Sequence, residues 1–470
     1  MPQDITRLSI AQLSERIRSQ EITPTELVAK SLERIRRIDK RINSFITVVE
    51  EDAIQQAEVL ERELKNSIYR GSLHGVPVSV KDIIQVRGVK CTAGSKILSN
   101  NIAEQDAAVV EKLREAGAII IGTNNLHEFA SGVTSVNPHF GAVRNPWDLE
   151  RIAGGSSGGS AASVSAFMVW ASLGTDTSGS IRIPAALCGV VGLKPSYGRV
   201  SKHGVIPLSW SLDHVGPITR SVEDAAIVLK AIAGYDQRDD ASVFADLPDY
   251  PANLERDLKG YRVCVLRNLY LDNLHRSVAR AFSRAIDVLG GLGVECVELD
   301  FRYADRVRWC WAPIRLGEAA VFHDEWLRER AADYGEDVRR MLERGRSMSL
   351  VDYVKAQRLR IEIREELLRI LDRHHAIISP TTAIPAPKIG ETEVKLNGET
   401  IDIYTALTNL TILYNITGVP AITLPAGLAD GNLPVAVQLA GRPFDEQTVL
   451  QLAYGLEKSL NLDMAPPALD

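Results

Sequence analysis

An α/β fold built on a covered, largely parallel or mixed sheet is the architecture this sequence predicts, and three observations predict it. From residue 74 to about 200, short aliphatic stretches of strand length recur; helical segments lie between them; and Gly-rich turns follow the strands directly. The chain has 470 residues, 45% of them hydrophobic and 24% charged, enough for a large core and outside the disordered class.

In chain order, a first helix opens at Thr23-Pro24-Thr25-Glu26, where Thr23 is expected to cap, Pro24 suits the first turn and Glu26 completes a capping box. Leu27, Val28, Leu32, Ile35, Ile38 and Ile42 recur at helical spacing, so this helix packs on something larger. Val76 to Val80 reads as a strand ending at Lys81. A helix from Asp106 to Ala116, with Asp106 as cap and Gly117 as terminator, leads into the buried strand Ala118 to Ile121, half of a βαβ unit. Met168 to Leu173 is a third strand, running into Gly174. Between about 235 and 375 the sequence is more charged and more helical; its strand candidates are Arg262 to Leu266 and Val294 to Leu299, and the stretch reads as a cover. Strands return at Ala376 to Ser379, Ala421 to Leu424 and Val435 to Leu439, before a closing helix near Gln447 to Glu457, and this part is expected to rejoin the sheet. There is no internal repeat and no low-complexity tract.

Composition excludes several functions. A net charge of −6 with no long Lys/Arg block argues against direct nucleic-acid binding. The five cysteines, Cys91, Cys188, Cys264, Cys296 and Cys310, are dispersed and form no CxxC pair, as expected of reduced thiols in a cytosol rather than a zinc or redox site. The opening Met1-Pro2-Gln3-Asp4 lacks the basic start and apolar core of a secretory signal, so export is not expected. No aliphatic run approaches the roughly 20 residues needed to cross a bilayer, so no membrane association is expected.

Three features carry chemistry. The run Gly154-Gly155-Ser156-Ser157-Gly158-Gly159-Ser160 allows unusual backbone angles and close approach, and its amides could face an anion or a developing oxyanion; the bland alternative is a flexible linker. A second loop, Gly174-Thr175-Asp176-Thr177-Ser178-Gly179-Ser180, follows a buried strand and precedes the helix-like Ile181 to Cys188, the place where α/β proteins put reactive groups. Asp176 and Arg182 there either brace the loop as an ion pair or form an ordinary surface pair. Lys81 ends an apolar alternation: as a buried lysine it would shed its proton and serve as a general base, and otherwise it is a solvated strand end. Gly154 to Gly158 also fits the nucleophile-elbow pattern GxSxG, but the upstream segment Asn145 to Arg151 reads as a turn-rich loop, and His374 and His375 are the only late histidines after the middle helices. No P-loop ending accompanies either loop.

Lys81, the GGSSGGS run and Gly179-Ser180-Ile181-Arg182, with 75 residues from Lys81 to Ser156 and 24 from Ser156 to Ser180, resemble the amidase signature family. Gly75-Val76-Pro77, Asn145-Pro146-Trp147-Asp148, Gly192-Leu193-Lys194-Pro195, Asp213-His214-Val215-Gly216-Pro217 and Gly418-Val419-Pro420-Ala421 add to the resemblance. It implies one amidase domain over 1–470, with a large mixed sheet covered by helices on both faces: an N-terminal helical cover at 1–73, a catalytic core at 74–232, a variable helical cover at 233–375, and strands and a helix at 376–470 that rejoin the sheet. It also implies a catalytic set of Lys81, Ser156 and Ser180 that needs no metal and no organic cofactor. Ser180 would attack the amide carbonyl of a small-molecule substrate. Ser156, after a cis peptide bond to Gly155, would relay the proton toward Lys81. Backbone amides of Thr177, Ser178, Gly179 and Ser180 would form the oxyanion hole, with Gly155, Ser157, Asp176 and Arg182 in support.

Two departures matter. Ser178 stands where the family usually has glycine. Thr408 stands where the A subunit of the tRNA-dependent amidotransferase, which the chain resembles closely around 124 to 160, is expected to carry the acidic residue that binds glutamine, and the helix after Gly335-Glu336-Asp337 also departs from that pattern. On this basis a stand-alone amidase is the preferred expectation over a glutaminase subunit with partner subunits, and a homodimer is compatible with either. Trp309, Trp311, Phe322, Trp326 and Tyr414 are available to line an acyl pocket or to pack in the core.

Overall fold

The computed structural model describes residues 4–467 and 469. Of the opening segment read for a secretory signal, Met1, Pro2 and Gln3 lie outside the described residues. Eleven strands form the central sheet: β1 (Phe45–Val48), β2 (Pro77–Lys81), β3 (Ile119–Asn124), β4 (Ala171–Asp176), β5 (Val191–Lys194), β6 (His214–Thr219), β7 (Arg262–Leu266), β8 (Glu295–Leu299), β9 (Ala376–Pro380), β10 (Ala421–Leu428) and β11 (Pro434–Ala440). Their spatial order is β1-β3-β2-β4-β6-β5-β10-β11-β9-β7-β8. The sheet is mixed: β3, β2 and β4 run parallel, as do β9, β7 and β8, while the strands between these groups pair antiparallel.

Alternation along the strands explains why helices cover both faces. Val263 and Val265 enter one apolar cluster with the helices Val222–Ile232 and Glu446–Leu460, whereas Cys264 and Leu266 enter another with Leu350–Leu371. At the other end, Ile120 belongs to the first cluster, and Ile119 and Ile121 face the helices Pro24–Ile42 and Gly158–Ser165. A sheet buried on both faces has few polar positions to spare, which is why its strands read as aliphatic runs.

Several expectations are corrected. β1 lies in the segment expected to be a purely helical cover, and β7 and β8 lie in the middle segment, yet all three extend the central sheet at its two ends. Backbone pairing at a sheet edge requires no strong sequence pattern, so these segments look like cover until their partners are known. Asp106 does not cap the helix Ala108–Glu115; its carboxylate accepts from the Arg87 amide at 2.7 Å. Thr23 does accept from the Glu26 amide at 3.2 Å, but the return bond of the capping box is not made among the described residues. Residues 145–151, read as a loop, include a small hairpin of Arg144–Asn145 with Asp148–Ile152 that stays apart from the central sheet. The hairpin Glu393–Leu396 with Glu399–Asp402 is a further addition to the elements expected from sequence.

Candidate active site

β2 and β4 are parallel neighbours, so their carboxyl ends, Lys81 and Asp176, emerge on the same edge of the sheet. Parallel ladders bring the loops that follow them together, and the reactive side chains of this chain gather there. Lys81 is fully buried. Its Nζ donates to Ser156 Oγ at 2.8 Å and to Thr175 Oγ1 at 2.9 Å. Burial lowers its pKa from 10.5 to about 7, against the opposing fields of Asp213 and Asp176. The solvated strand-end alternative is therefore excluded, and so is the flexible-linker reading of the Gly-Ser run, every residue of which is buried.

That run divides in two. Gly158, Gly159 and Ser160 form the first turn of the helix Gly158–Ser165, and glycine is needed there for a steric reason. The reason is close approach of backbone: a Cβ on Gly159 would lie 2.3 Å from the Asn125 carbonyl oxygen and 2.4 Å from that of Ser44. A Cβ on Gly155 would lie 2.9 Å from Thr134 N and from Val133 C. The peptide bond between Gly155 and Ser156 is cis. The Ser156 carbonyl accepts from the His127 amide at 3.1 Å and from Ser135 Oγ at 3.2 Å. Ser157 ties this loop to the next: its amide donates to the Ser180 carbonyl at 3.2 Å, and its Oγ donates to the Thr175 carbonyl at 3.2 Å.

Asp176 and Arg182 are not a surface pair. Both are fully buried, with Arg182 Nε 3.0 Å from Asp176 Oδ2 and Nη2 3.1 Å from Oδ1. Arg182 also donates to Gln438 Oε1 at 2.9 Å, Asn415 Oδ1 at 2.8 Å and the Thr411 carbonyl at 3.0 Å. Burial alone would raise the Asp176 pKa, but the Arg182 charge and its hydrogen bonds, with Asn415 and Lys194, hold it well below the usual carboxylate range. The charged Asp176 then organises the turn that carries Ser180, accepting from the amides of Gly179 at 2.8 Å, Ile181 at 3.2 Å and Arg182 at 3.3 Å. This corrects the oxyanion-hole expectation. The Gly179 amide is committed to Asp176, which leaves those of Thr177, Ser178 and Ser180. Gly179 has φ +118°, and a Cβ there would strike Thr411 Oγ1 at 2.5 Å, so the neighbouring Ser178 can bear a side chain where Gly179 cannot.

Lys81, Ser156, Ser157, Asp176, Ser180 and Arg182, all singled out from sequence, do come together in space. Sequence reasoning misses Thr175 as the second partner of Lys81, Ser135 as a clamp on Ser156, and Asn415 and Gln438 as partners of Arg182. Asp213 enters the sequence reading only through the family resemblance; its carboxylate accepts from Thr177 Oγ1 at 2.6 Å and from the Leu208 and Ser209 amides, and burial raises its pKa. Of the aromatic candidates, Trp311 lines a cavity with Ser131–Thr134, joined there by Tyr404. Trp309 is 41% exposed, Phe322 and Trp326 pack around His323, and Tyr414 lies by Tyr270. His374 and His375 bond to Ile370 and Arg262, as an elbow histidine would not.

Fold and site together define a hydrolase acting on carbon–nitrogen bonds. A family model described as Amidase matches residues 26–450, and the chain belongs to that family, the amidase signature enzymes. It is similar to the A subunit of the glutamyl-tRNA(Gln) amidotransferase of Carboxydothermus hydrogenoformans, with 39% identity over 98% of this chain and 99% of the relative. Among solved structures it is similar to a chain from a vestigial protein complex tied to the evolutionary origins of an s-triazine catabolic enzyme, with TM-score 0.93, 32% identity, and coverage of 96% of this chain and 98% of that one. It is also similar to a crystallised amidase, with TM-score 0.87, 35% identity, and coverage of 96% and 99%.

Proposed function

We propose that the chain hydrolyses an amide through an acyl-enzyme on Ser180, with Ser156 and Lys81 as the proton relay. The observation that carries this reading is the buried Lys81 bonded at 2.8 Å to Ser156 Oγ. A neutral amine has two hydrogens and one lone pair: Thr175 Oγ1 takes one hydrogen, and the Ser156 hydroxyl can turn its proton into the lone pair. As Ser180 attacks, Ser156 passes its own proton to Lys81 while taking that of Ser180, and the reverse transfer, Lys81 to Ser156 to the leaving nitrogen, completes the step. The amides of Thr177, Ser178 and Ser180 stabilise the oxyanion, and water resolves the ester.

Two settings for this chemistry differ in partners. Full-length similarity to the A subunits of amidotransferases weighs toward a glutaminase that works with partner subunits, more than toward the stand-alone amidase preferred from sequence. One site observation weighs the other way. Thr408, at the position expected to be acidic, is bonded to Arg308 at 3.3 Å, which puts a cation where glutamine would bring its ammonium group. A cytosolic location is part of the same proposal, supported by five free cysteines. No helix among the described residues is long and apolar enough to cross a membrane. The test is ammonia release by the lone purified chain from a panel of simple amides including glutamine, against its Ser180→Ala variant. Turnover that vanishes in the variant is the expected result; equal release by both proteins would overturn the assignment of Ser180.

A further inference from the structure

Three adjacent strands meet at the catalytic edge of the sheet. β2 ends at Lys81, β4 ends at Asp176, and β6, antiparallel to β4 with His214 opposite Asp176, begins just after Asp213. Asp213 is buried, and its carboxylate is turned onto that edge. Oδ1 accepts from Thr177 Oγ1 at 2.6 Å, and Oδ2 accepts from the amides of Leu208 at 2.9 Å and Ser209 at 3.0 Å. All three partners donate to the carboxylate, the pattern that suits its ionised form. With Thr175, whose hydroxyl holds Lys81, Asp213 lines a cavity of about 610 Å³.

This carboxylate has no cation bonded to it among the described residues. Lys202, whose field reaches it, spends its Nζ on Tyr197 Oη at 3.0 Å and on the Trp210 carbonyl. The other charged groups around the edge are engaged. Asp176 is paired with Arg182, Asp82 turns to the Thr92 amide at 2.9 Å, and Lys194 donates to the carbonyls of Pro195 and Val419. Glu318, which reaches the loop before Asp213 from the helix Val307–Phe322, accepts from Ser209 Oγ and Ser211 Oγ, both at 2.6 Å. Burial keeps His214 uncharged. Of the two carboxylates whose fields reach Lys81, Asp213 acts more strongly than Asp176.

Attack by Ser180 creates a positive charge in this dry site: Ser156 passes its proton to Lys81, and the neutral amine becomes an ammonium. An ammonium formed there without a counter-charge is costly. We propose that Asp213 is a positioning residue whose carboxylate supplies that counter-charge, acting through Lys81 and not on the substrate. The role rests on the amidase reading above and deepens it: a lysine this buried takes up a proton because an unpaired carboxylate waits two strands away.

Inactivation by phenylmethylsulfonyl fluoride isolates the attack, because fluoride leaves without a proton as Ser180 Oγ bonds to sulfur. Its second-order rate constant is measured from pH 5 to 10 in wild type, Asp213→Asn, Asp213→Glu and Thr177→Val, with Ser180→Ala as the blank. Wild type is expected to show an acid limb with its midpoint near the Lys81 value of about 7. Removing the carboxylate disfavours the ammonium, so Asp213→Asn should move that midpoint down by about one pH unit and lower the plateau by about threefold or more, a weaker base activating Ser156 less. Asp213→Glu should restore the midpoint, and Thr177→Val, which removes the hydrogen bond and keeps the charge, should leave it in place. Should asparagine disturb the fold beneath the Leu208 and Ser209 amides, Asp213→Ser, which admits water there, gives the same reading. A midpoint in the charge-removing variants equal to that of wild type, or higher, would overturn the counter-charge while leaving Ser180 and Lys81 in their roles. Modification undiminished in Ser180→Ala, or a wild-type rate without an acid limb, would overturn the Ser180–Lys81 reading itself, and the role of Asp213 with it.

Discussion

Replacing Lys81 with methionine separates the cost of burying this lysine from its use. In the folded chain its pKa is about 7, against the ordinary 10.5 that it regains on unfolding. Between those values the unfolded chain holds a proton that the folded chain does not, so wild-type stability rises with pH by about 1.4 kcal/mol per unit, approaching about 5 kcal/mol across the window. Below pH 7 both states are protonated and the slope from this residue vanishes. Methionine removes the titration, but it also leaves the Ser156 and Thr175 hydroxyls without their Lys81 partner, costing about 1–3 kcal/mol each. The sign of the difference at a single pH is therefore a poor test, and its slope is a good one. Melting temperature and denaturant midpoint of wild type and Lys81→Met, measured from pH 6 to 10, should converge or cross in favour of wild type as pH rises. In parallel, wild-type kcat/KM should climb about tenfold per unit below pH 6 and level off above pH 8, as the neutral amine accumulates. Stability curves that stay parallel from pH 7 to 10 would refute a neutral Lys81, and a flat rate profile with chemistry shown to be limiting would refute its use as the base.

Three further outcomes follow from the same geometry. Ser180→Ala should lower turnover by at least about a thousandfold with a nearly unchanged melting temperature, since it removes a single hydroxyl from a small side chain; residual activity within tenfold of wild type would point to another nucleophile. Asp176→Asn should cost about 3–5 kcal/mol by leaving Arg182 as an uncompensated buried charge, read as a large fall in melting temperature, whereas the surface pair Arg267–Asp300 should lose less than about 1 kcal/mol when Asp300→Asn is made. Gly159→Ala should fail to give a folded chain, because its Cβ would meet two backbone carbonyl oxygens at 2.3 and 2.4 Å; soluble expression with wild-type circular dichroism would contradict the packing of that first helical turn.

Sequence periodicity locates the strands that are buried on both faces, such as β2, β3 and β9 to β11, because dry neighbours on two sides leave only aliphatic residues. It does not find the central β5 and β6, where Gly192, Gly216 and Pro217 interrupt the aliphatic run, nor β1, and it assigns β7 and β8 to a cover, since towards the ends of the sheet pairing is decided by which backbone lies alongside. The hairpin around Asn397-Gly398 carries a readable signal, both residues having positive φ at 51° and 89°, the conformation that an Asn-Gly turn favours. Its flanking strands are short and polar, so that signal is faint beside the stronger helical patterns.

By itself the sequence determined the chemistry-bearing residues: glycine and serine in a pattern that only close backbone approach explains, a lysine closing an apolar strand, and an aspartate six positions before an arginine. Those are local facts, fixed by what each residue type can do within a few neighbours. Only the tertiary structure decided their state. Whether Lys81 is charged depends on the dry walls supplied by β4 and the loop at 153–157. Whether Asp176 braces the turn depends on Asn415 and Gln438, more than 200 residues downstream. Desolvation and charge compensation are properties of a neighbourhood, and that neighbourhood is assembled from distant parts of the chain.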